Sequence, residues 1–335
     1  MPTALTVSHP PFGGAKDLRL PGRAAQSKTI AMRLRDFLAL FAVCVVWGIN
    51  FVVAKFSVTG APGWVDGFEG VPPFFFAFLR FVLLYAVLAP WLRPIPAKLG
   101  TMIAIGLTMG AGQYALMFLG LKWATPSSMA IAVQTGVPFA TILSVLFLKE
   151  KVGLPRIAGI LLSFAGVALV IANPAELDLS IGLMIGIGAA FASAVGMILV
   201  KQMPLDSIRM QAWIGLISAP PLLALSLTFE TGQMQSVVSG GWAIGAAVAF
   251  TVLLVNVFGH GVFYNLLQRY DATLIAPLTL IAPLIGVIAG LTVTGDPLGW
   301  RLIAGGALTL VGVGIIALRR NRKLPTAALA REKTL

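Results

Sequence analysis

Arg80 sits near the middle of Phe74–Trp91, FFFAFLRFVLLYAVLAPW, an otherwise apolar stretch. About 20 apolar residues is the length at which a helix crosses a bilayer. A guanidinium at the centre of such a helix costs roughly 2.5–3.5 kcal/mol on the mildest scale. A cost of that size calls for a partner or a water-filled cavity, unless Arg80 staples two helices together through carbonyl oxygens. Neutral polar side chains form stripes in other apolar stretches. Ser127, Gln134 and Thr141 recur every seven residues, and Asn256, His260 and Tyr264 every four, so each set shares a helix face. Asn50, Gln113, Tyr114 and Trp213 add to the inventory. Singly, such residues serve as interhelical glue or as cavity lining. As a set that includes Arg80, they point to a cavity, in which Arg80 would bind a carboxylate or hold the space open by pairing helices.

Three further residues carry open alternatives. His260, between Gly259 and Gly261, either titrates near neutral pH and couples protons to movement of a ligand, or is a neutral imidazole hydrogen-bonded between helices; the second is preferred. Lys55, near the end of its stretch, can snorkel to the interface. Lys201 is its counterpart on the other side, with gating and anchoring both open.

The inventory also excludes chemistry. All 12 acidic residues fall in tails, loops or span ends, so no carboxylate relay crosses the membrane. There are two histidines, His9 being near the N-terminus, and one cysteine, Cys44. No metal site of ordinary composition, no cofactor, and neither a Cys/His nor a carboxylate pair is expected. An enzyme is therefore not expected. Channels use rings of like side chains or carbonyls around an axis, and nothing here repeats in that way.

The elements that must position these residues follow from composition. The 335 residues are 58% hydrophobic and 11% charged, against about 25% charged in soluble domains. An all-α membrane protein is the expected class. Hydropathy separates into ten spans: 37–58, 72–91, 99–121, 126–148, 153–172, 181–200, 210–229, 243–267, 273–293 and 299–318. With the N-terminus cytoplasmic, the 24 Lys and Arg residues all fall on the inner side except Lys122 and Arg301 outside and Lys55 and Arg80 within spans. The positive-inside rule thus places both termini in the cytoplasm. The net charge of +12 belongs to tails and short loops, and no nucleic-acid partner is expected. The lipid bilayer and a small-molecule substrate are. Residues 1–36 read as a disordered cytoplasmic tail and 321–335 as a second one.

Two internal echoes organise the rest. Glu150, Gly159 and Gly166 recur as Asp296, Gly305 and Gly312 at the same spacings, and Trp47-Gly48…Lys55 aligns with Ser193-Ala194…Lys201. They divide the chain into two repeats, 37–172 and 173–320, of five helices each. Five is odd, so the second half enters the membrane from the opposite face, and a site is expected at the midplane between the halves.

Several motifs resemble the EamA-type permeases of the drug/metabolite transporter superfamily. They are Trp47-Gly48-Ile49-Asn50-Phe51-Val52-Val53-Ala54-Lys55, Phe78-Leu79-Arg80-Phe81, Phe147-Leu148-Lys149-Glu150, Gly159…Gly166-Val167, and Leu266-Leu267-Gln268-Arg269-Tyr270 with Ala276-Pro277-Leu278. Gln113, Gln134, Trp213 and the Gly259–Gly261 pair look closest to the exporters of O-acetylserine and cysteine. The resemblance implies ten transmembrane helices in two inverted EamA repeats around a central cavity, an inner-membrane location, and export of small metabolites by alternating access. Amino acids or related zwitterions are the expected cargo, and aromatic amino acids or hydrophobic drugs the alternative. Asn50, Arg80, Gln113, Gln134, Trp213, Asn256, His260 and Tyr264 are the expected cavity residues. The outer loop 60–72 is longer than in those exporters and could cap the cavity.

Overall fold

The computed structural model describes residues 32–149, 152–172, 180–203, 205–270, 274–275 and 278–318, with only the backbone of Tyr264, Leu267 and Gln268. Residues 1–31 of the first tail, the whole of the second, Glu150 and the Ala276-Pro277 pair lie outside the described residues, and 34–36 belong to the first helix. Among the described residues there are helices and no strands. Backbone polar groups in lipid must be satisfied within the segment, and a helix does that alone.

Among the described residues nine helices are long and apolar enough to span a membrane, and a tenth is shorter. They are α1 Leu34–Thr59, α2 Pro73–Leu92, α3 Leu99–Leu121, α4 Pro126–Leu148, α5 Leu154–Ile171, α6 Ile181–Val200, α7 Ser207–Phe229, α8 Gln233–Phe263, α9 Ile281–Thr294 and α10 Trp300–Leu318. The eighth begins about ten residues before the expected boundary at Ala243. The cause is Gly241, at φ 48° and ψ −127°, which joins a preceding helical segment to the span through a kink. α4 starts sharply: the Thr125 side chain accepts from the Ser128 amide, with proline in the first turn.

The helices pair in a two-fold pattern. α2 packs on α7, α4 on α9 and α5 on α10, each helix against its own counterpart. Further contacts come in exchanged pairs, α1 with α8 and α9 matching α6 with α3 and α4, and α2 with α8 matching α7 with α3. Glycines show the direction. A Cβ on Gly159 would lie 2.8 Å from the Gly312 carbonyl oxygen, and one on Gly166 would lie 2.5 Å from that of Gly305. The first glycine of one repeat therefore meets the second of the other. α5 and α10 run antiparallel, as two inverted repeats require, and small residues let their backbones touch.

Candidate functional site

The two repeats enclose a cavity of about 710 Å³. It is lined from α1, α3, α4, α6, α8 and α10, with Thr279–Pro283 at the start of α9 and Arg156 of α5. Its deep end holds Trp47, Asn50, Phe51, Gln113 and Tyr114, and its mouth holds Ser144, Arg156, Lys201 and Ala317. The mouth residues all lie at helix ends on one face of the bundle.

Irregular backbone shapes this space. α3 carries a π-helical stretch over Gly106–Gly112, immediately before Gln113. Its counterpart α8 carries one over Phe250–His260. α4 tightens to a 3₁₀ turn at Val133–Thr135, which presents Gln134. The start of α9 turns at Thr279, whose carbonyl accepts from the Ala282 amide at 3.0 Å. Single π turns within α-helices frequently sit at functional sites, and broken backbone at membrane depth is tolerated where it lines a cavity. Here the irregularities occur in both members of two symmetry-related helix pairs.

Arg80 is fully buried and stands behind the cavity wall rather than in it. Its Nη2 donates to Tyr114 Oη at 3.0 Å and to Asn256 Oδ1. Its Cζ lies 4.0 Å from the centre of the Tyr114 ring, a cation–π stack. Its Nε and Nη1 have no partner among the described residues. Arg80 thereby joins α2, α3 and α8 through two side chains, and the one facing the cavity is Tyr114.

His260 lines the cavity and its Nδ1 lies 3.0 Å from the Val255 carbonyl oxygen. That bond spans five residues, within the π stretch of α8 itself. The same carbonyl accepts from Trp47 Nε1 at 3.4 Å, and the Trp47 and His260 rings lie 5.2 Å apart. A Cβ on Gly259 would lie 2.5 Å from that indole nitrogen, so glycine is what lets Trp47 cross here.

The opposite face is sealed. Lys55 Nζ donates to the carbonyls of Leu121, Lys122 and Ala124 at 2.7, 3.3 and 3.1 Å. This cation closes the C-terminal end of α3, where the helix dipole favours positive charge. Asp296 Oδ2 accepts from the Ser127 amide at 2.8 Å, a carboxylate on the N-terminus of α4. Ser127 Oγ also donates to the Val287 carbonyl at 3.1 Å. Lys201, the repeat partner of Lys55, is at the open mouth and donates to Ser144 Oγ at 3.1 Å.

Several expectations need correction. Trp213 is not in the cavity: its Nε1 donates to the Leu92 carbonyl at 3.1 Å, tying α7 to the end of α2. Lys55 does not snorkel outward but caps a neighbouring helix. Asn256 and His260 do not act as one stripe, because the π stretch turns Asn256 to Arg80 and His260 to the cavity. The side chain of Tyr264 lies outside the described residues. Loop residues 67 and 69–72 line a separate hollow of about 910 Å³ on the sealed face, and no residue of 60–72 borders the central cavity. Trp47, Ser144, Arg156 and Thr279 border it without having been expected to, while Tyr114 and Thr141 border it as members of the polar set. Thr141 shares the stripe of Gln134 and Tyr114 adjoins Gln113, so for those two a signal was present.

Among the described residues, ten apolar helices in two inverted halves around a central cavity make this a multi-pass membrane protein of the kind that transporters form. The model of the EamA-like transporter family matches residues 35–172 and again 180–318, once for each half. A "Probable amino-acid metabolite efflux pump" of Salmonella typhimurium is 30% identical over 294 residues, 84% of this chain and 94% of that protein. Its namesake in Escherichia coli is 26% identical over 294 residues, 85% of this chain and 95% of that protein. An "Uncharacterized transporter" of Archaeoglobus fulgidus is 24% identical over 295 residues, 86% of this chain and the whole of that protein. The chain belongs to the EamA-like transporter family, within the drug/metabolite transporter superfamily.

Proposed function

We propose that this protein is an inner-membrane secondary transporter that exports small metabolites of the amino-acid class by alternating access. The observation that carries this reading is the central cavity, which reaches membrane depth from one face and is closed at the other by Lys55 and Asp296. The basic loops support an open face on the cytoplasmic side, with both termini there. The conformation is then the one that loads cargo for export. Free amino acids or related zwitterions such as cysteine and O-acetylserine are the proposed cargo, in keeping with the names of the relatives. Asn50, Gln113, Gln134 and His260 supply neutral hydrogen bonds, and the charge of Arg80 favours a carboxylate. Lacking a mid-span acid, the protein runs down the substrate gradient, and proton antiport through His260 is the lesser alternative. Trp47, Phe51 and Met117 in the wall favour a second cargo class, aromatic amino acids or hydrophobic drugs.

The test is uptake of labelled cysteine, O-acetylserine and aromatic amino acids into everted membrane vesicles, with Arg80→Ala compared at equal abundance. Saturable uptake that Arg80→Ala abolishes is expected. Uptake of nothing in the panel would overturn the amino-acid reading.

A further inference from the structure

The lining of the cavity contains no aspartate or glutamate among the described residues, and Arg80 stands buried behind its floor. Backbone carbonyls released by the irregular helices are also engaged. Val255 accepts from Trp47 and His260, and Thr279 accepts from the Ala282 amide. A cargo ammonium would lose water there without meeting a carboxylate, which is costly away from solvent.

The donor side is better furnished. Tyr114 Oη accepts from Arg80 Nη2, so its own O–H is left to donate elsewhere, and Tyr114 borders the cavity. A hydroxyl whose oxygen accepts from a guanidinium is polarised into a stronger donor. Arg80 itself is walled off, with Nε and Nη1 unpartnered and no carboxylate within ion-pair distance among the described residues. Its charge remains uncompensated until an anion arrives in front of Tyr114.

We propose that the cavity selects amphipathic monocarboxylates whose nitrogen, where present, is uncharged, of the N-acylated amino-acid kind. Tyr114 hydrogen-bonds the carboxylate, Arg80 acts through Tyr114, and Trp47, Phe51, Met117 and Val137 take the apolar part. This preference rests on the reading that the cavity is the transport site, and among metabolites of the amino-acid class it favours the N-acylated anions over the free zwitterions.

The experiment uses the full chain in proteoliposomes, with protein-free liposomes as blank. Three labelled probes share one skeleton: N-acetylphenylalanine as anion, phenylalanine as zwitterion and phenethylamine as cation. N-acetylphenylalanine is expected to enter fastest and phenethylamine no faster than the blank. Tyr114→Phe keeps the ring on Arg80 but removes the hydroxyl. It is expected to raise the KM for N-acetylphenylalanine about tenfold, the scale of one hydrogen bond to a charged group. Phenylalanine entering as fast as or faster than its N-acetyl derivative, or an unchanged KM in Tyr114→Phe, would overturn the preference while leaving amino-acid transport standing. Entry of none of the three above the blank would overturn both.

Discussion

Replacing Lys55 with methionine should unseal the closed face. Methionine keeps the length of the side chain and discards its charge and donors. The Lys55 ammonium now holds three carbonyls at the end of α3, at 2.7, 3.3 and 3.1 Å. Hydrogen bonds from charged groups contribute roughly 1.5–3 kcal/mol each when buried. Lys55 is half-buried and the Lys122 bond is exposed, so solvent screening reduces the total to about 2 kcal/mol. If these bonds exist only while this face is closed, their loss moves the balance toward the open form by about 30-fold. The readout is labelling by a membrane-impermeant maleimide, added from the Lys55 side, of Gln134→Cys in a Cys44→Ser background. Cys44 is the single native cysteine and is buried, with Sγ directed at the Leu278 carbonyl, a contact serine preserves. Labelling should be slow with Lys55 present and at least about tenfold faster with methionine. Because Lys201 is the repeat counterpart on the other face, Lys201→Met should not accelerate labelling from this side. An unchanged rate in Lys55→Met would refute the reasoning, leaving the lysine a static anchor.

Three further outcomes are expected. Asp296→Asn removes the carboxylate from the start of α4 and should accelerate the same labelling to a smaller degree, since a charge at a helix terminus contributes about 0.3–1 kcal/mol. Gly166→Ala places a Cβ 2.5 Å from the Gly305 carbonyl and from the Thr309 amide. It should destabilise the α5–α10 contact by about 1–3 kcal/mol, seen as a lower melting temperature in detergent, while Gly245→Ala, whose Cβ meets nothing within 4 Å, should melt like the parent. Trp213→Phe should leave the KM for cargo unchanged in vesicle uptake and lower only thermal stability, because the indole ties α7 to Leu92.

Much of this arrangement was legible in the residues. Ten apolar segments followed from hydropathy, because bilayer thickness sets helix length. The paired glycines gave the inverted repeat, since only small residues let α5 and α10 cross so closely. Asn50, Gln113, Gln134 and His260 line the cavity, polar groups at membrane depth being too costly to face lipid. What was not legible depends on rotation and on partners. Trp213 lies in a helix that is apolar on nearly every side, so spacing could not say which way the indole turns. The four-residue rhythm of Asn256 and His260 assumed an α-helix, and the π stretch of α8 turned them apart. Lys55 was read against lipid because its acceptors, the carbonyls at the end of α3, are distant in sequence. Tyr114 is one polar residue among several in the sequence; its importance lies in the contact with Arg80, which exists only once α2 and α3 are packed.

The central claim is that cargo passes through the cavity between the repeats. The most direct test is saturable uptake into everted vesicles by Val137→Trp, which fills the cavity wall, beside Val145→Trp, whose parent side chain is 38% exposed on the outer surface of the same helix. Both variants would be checked for equal abundance and melting. Loss of uptake in Val137→Trp with near-normal uptake in Val145→Trp is the predicted result. Undiminished uptake in a folded Val137→Trp would contradict it and move the path elsewhere.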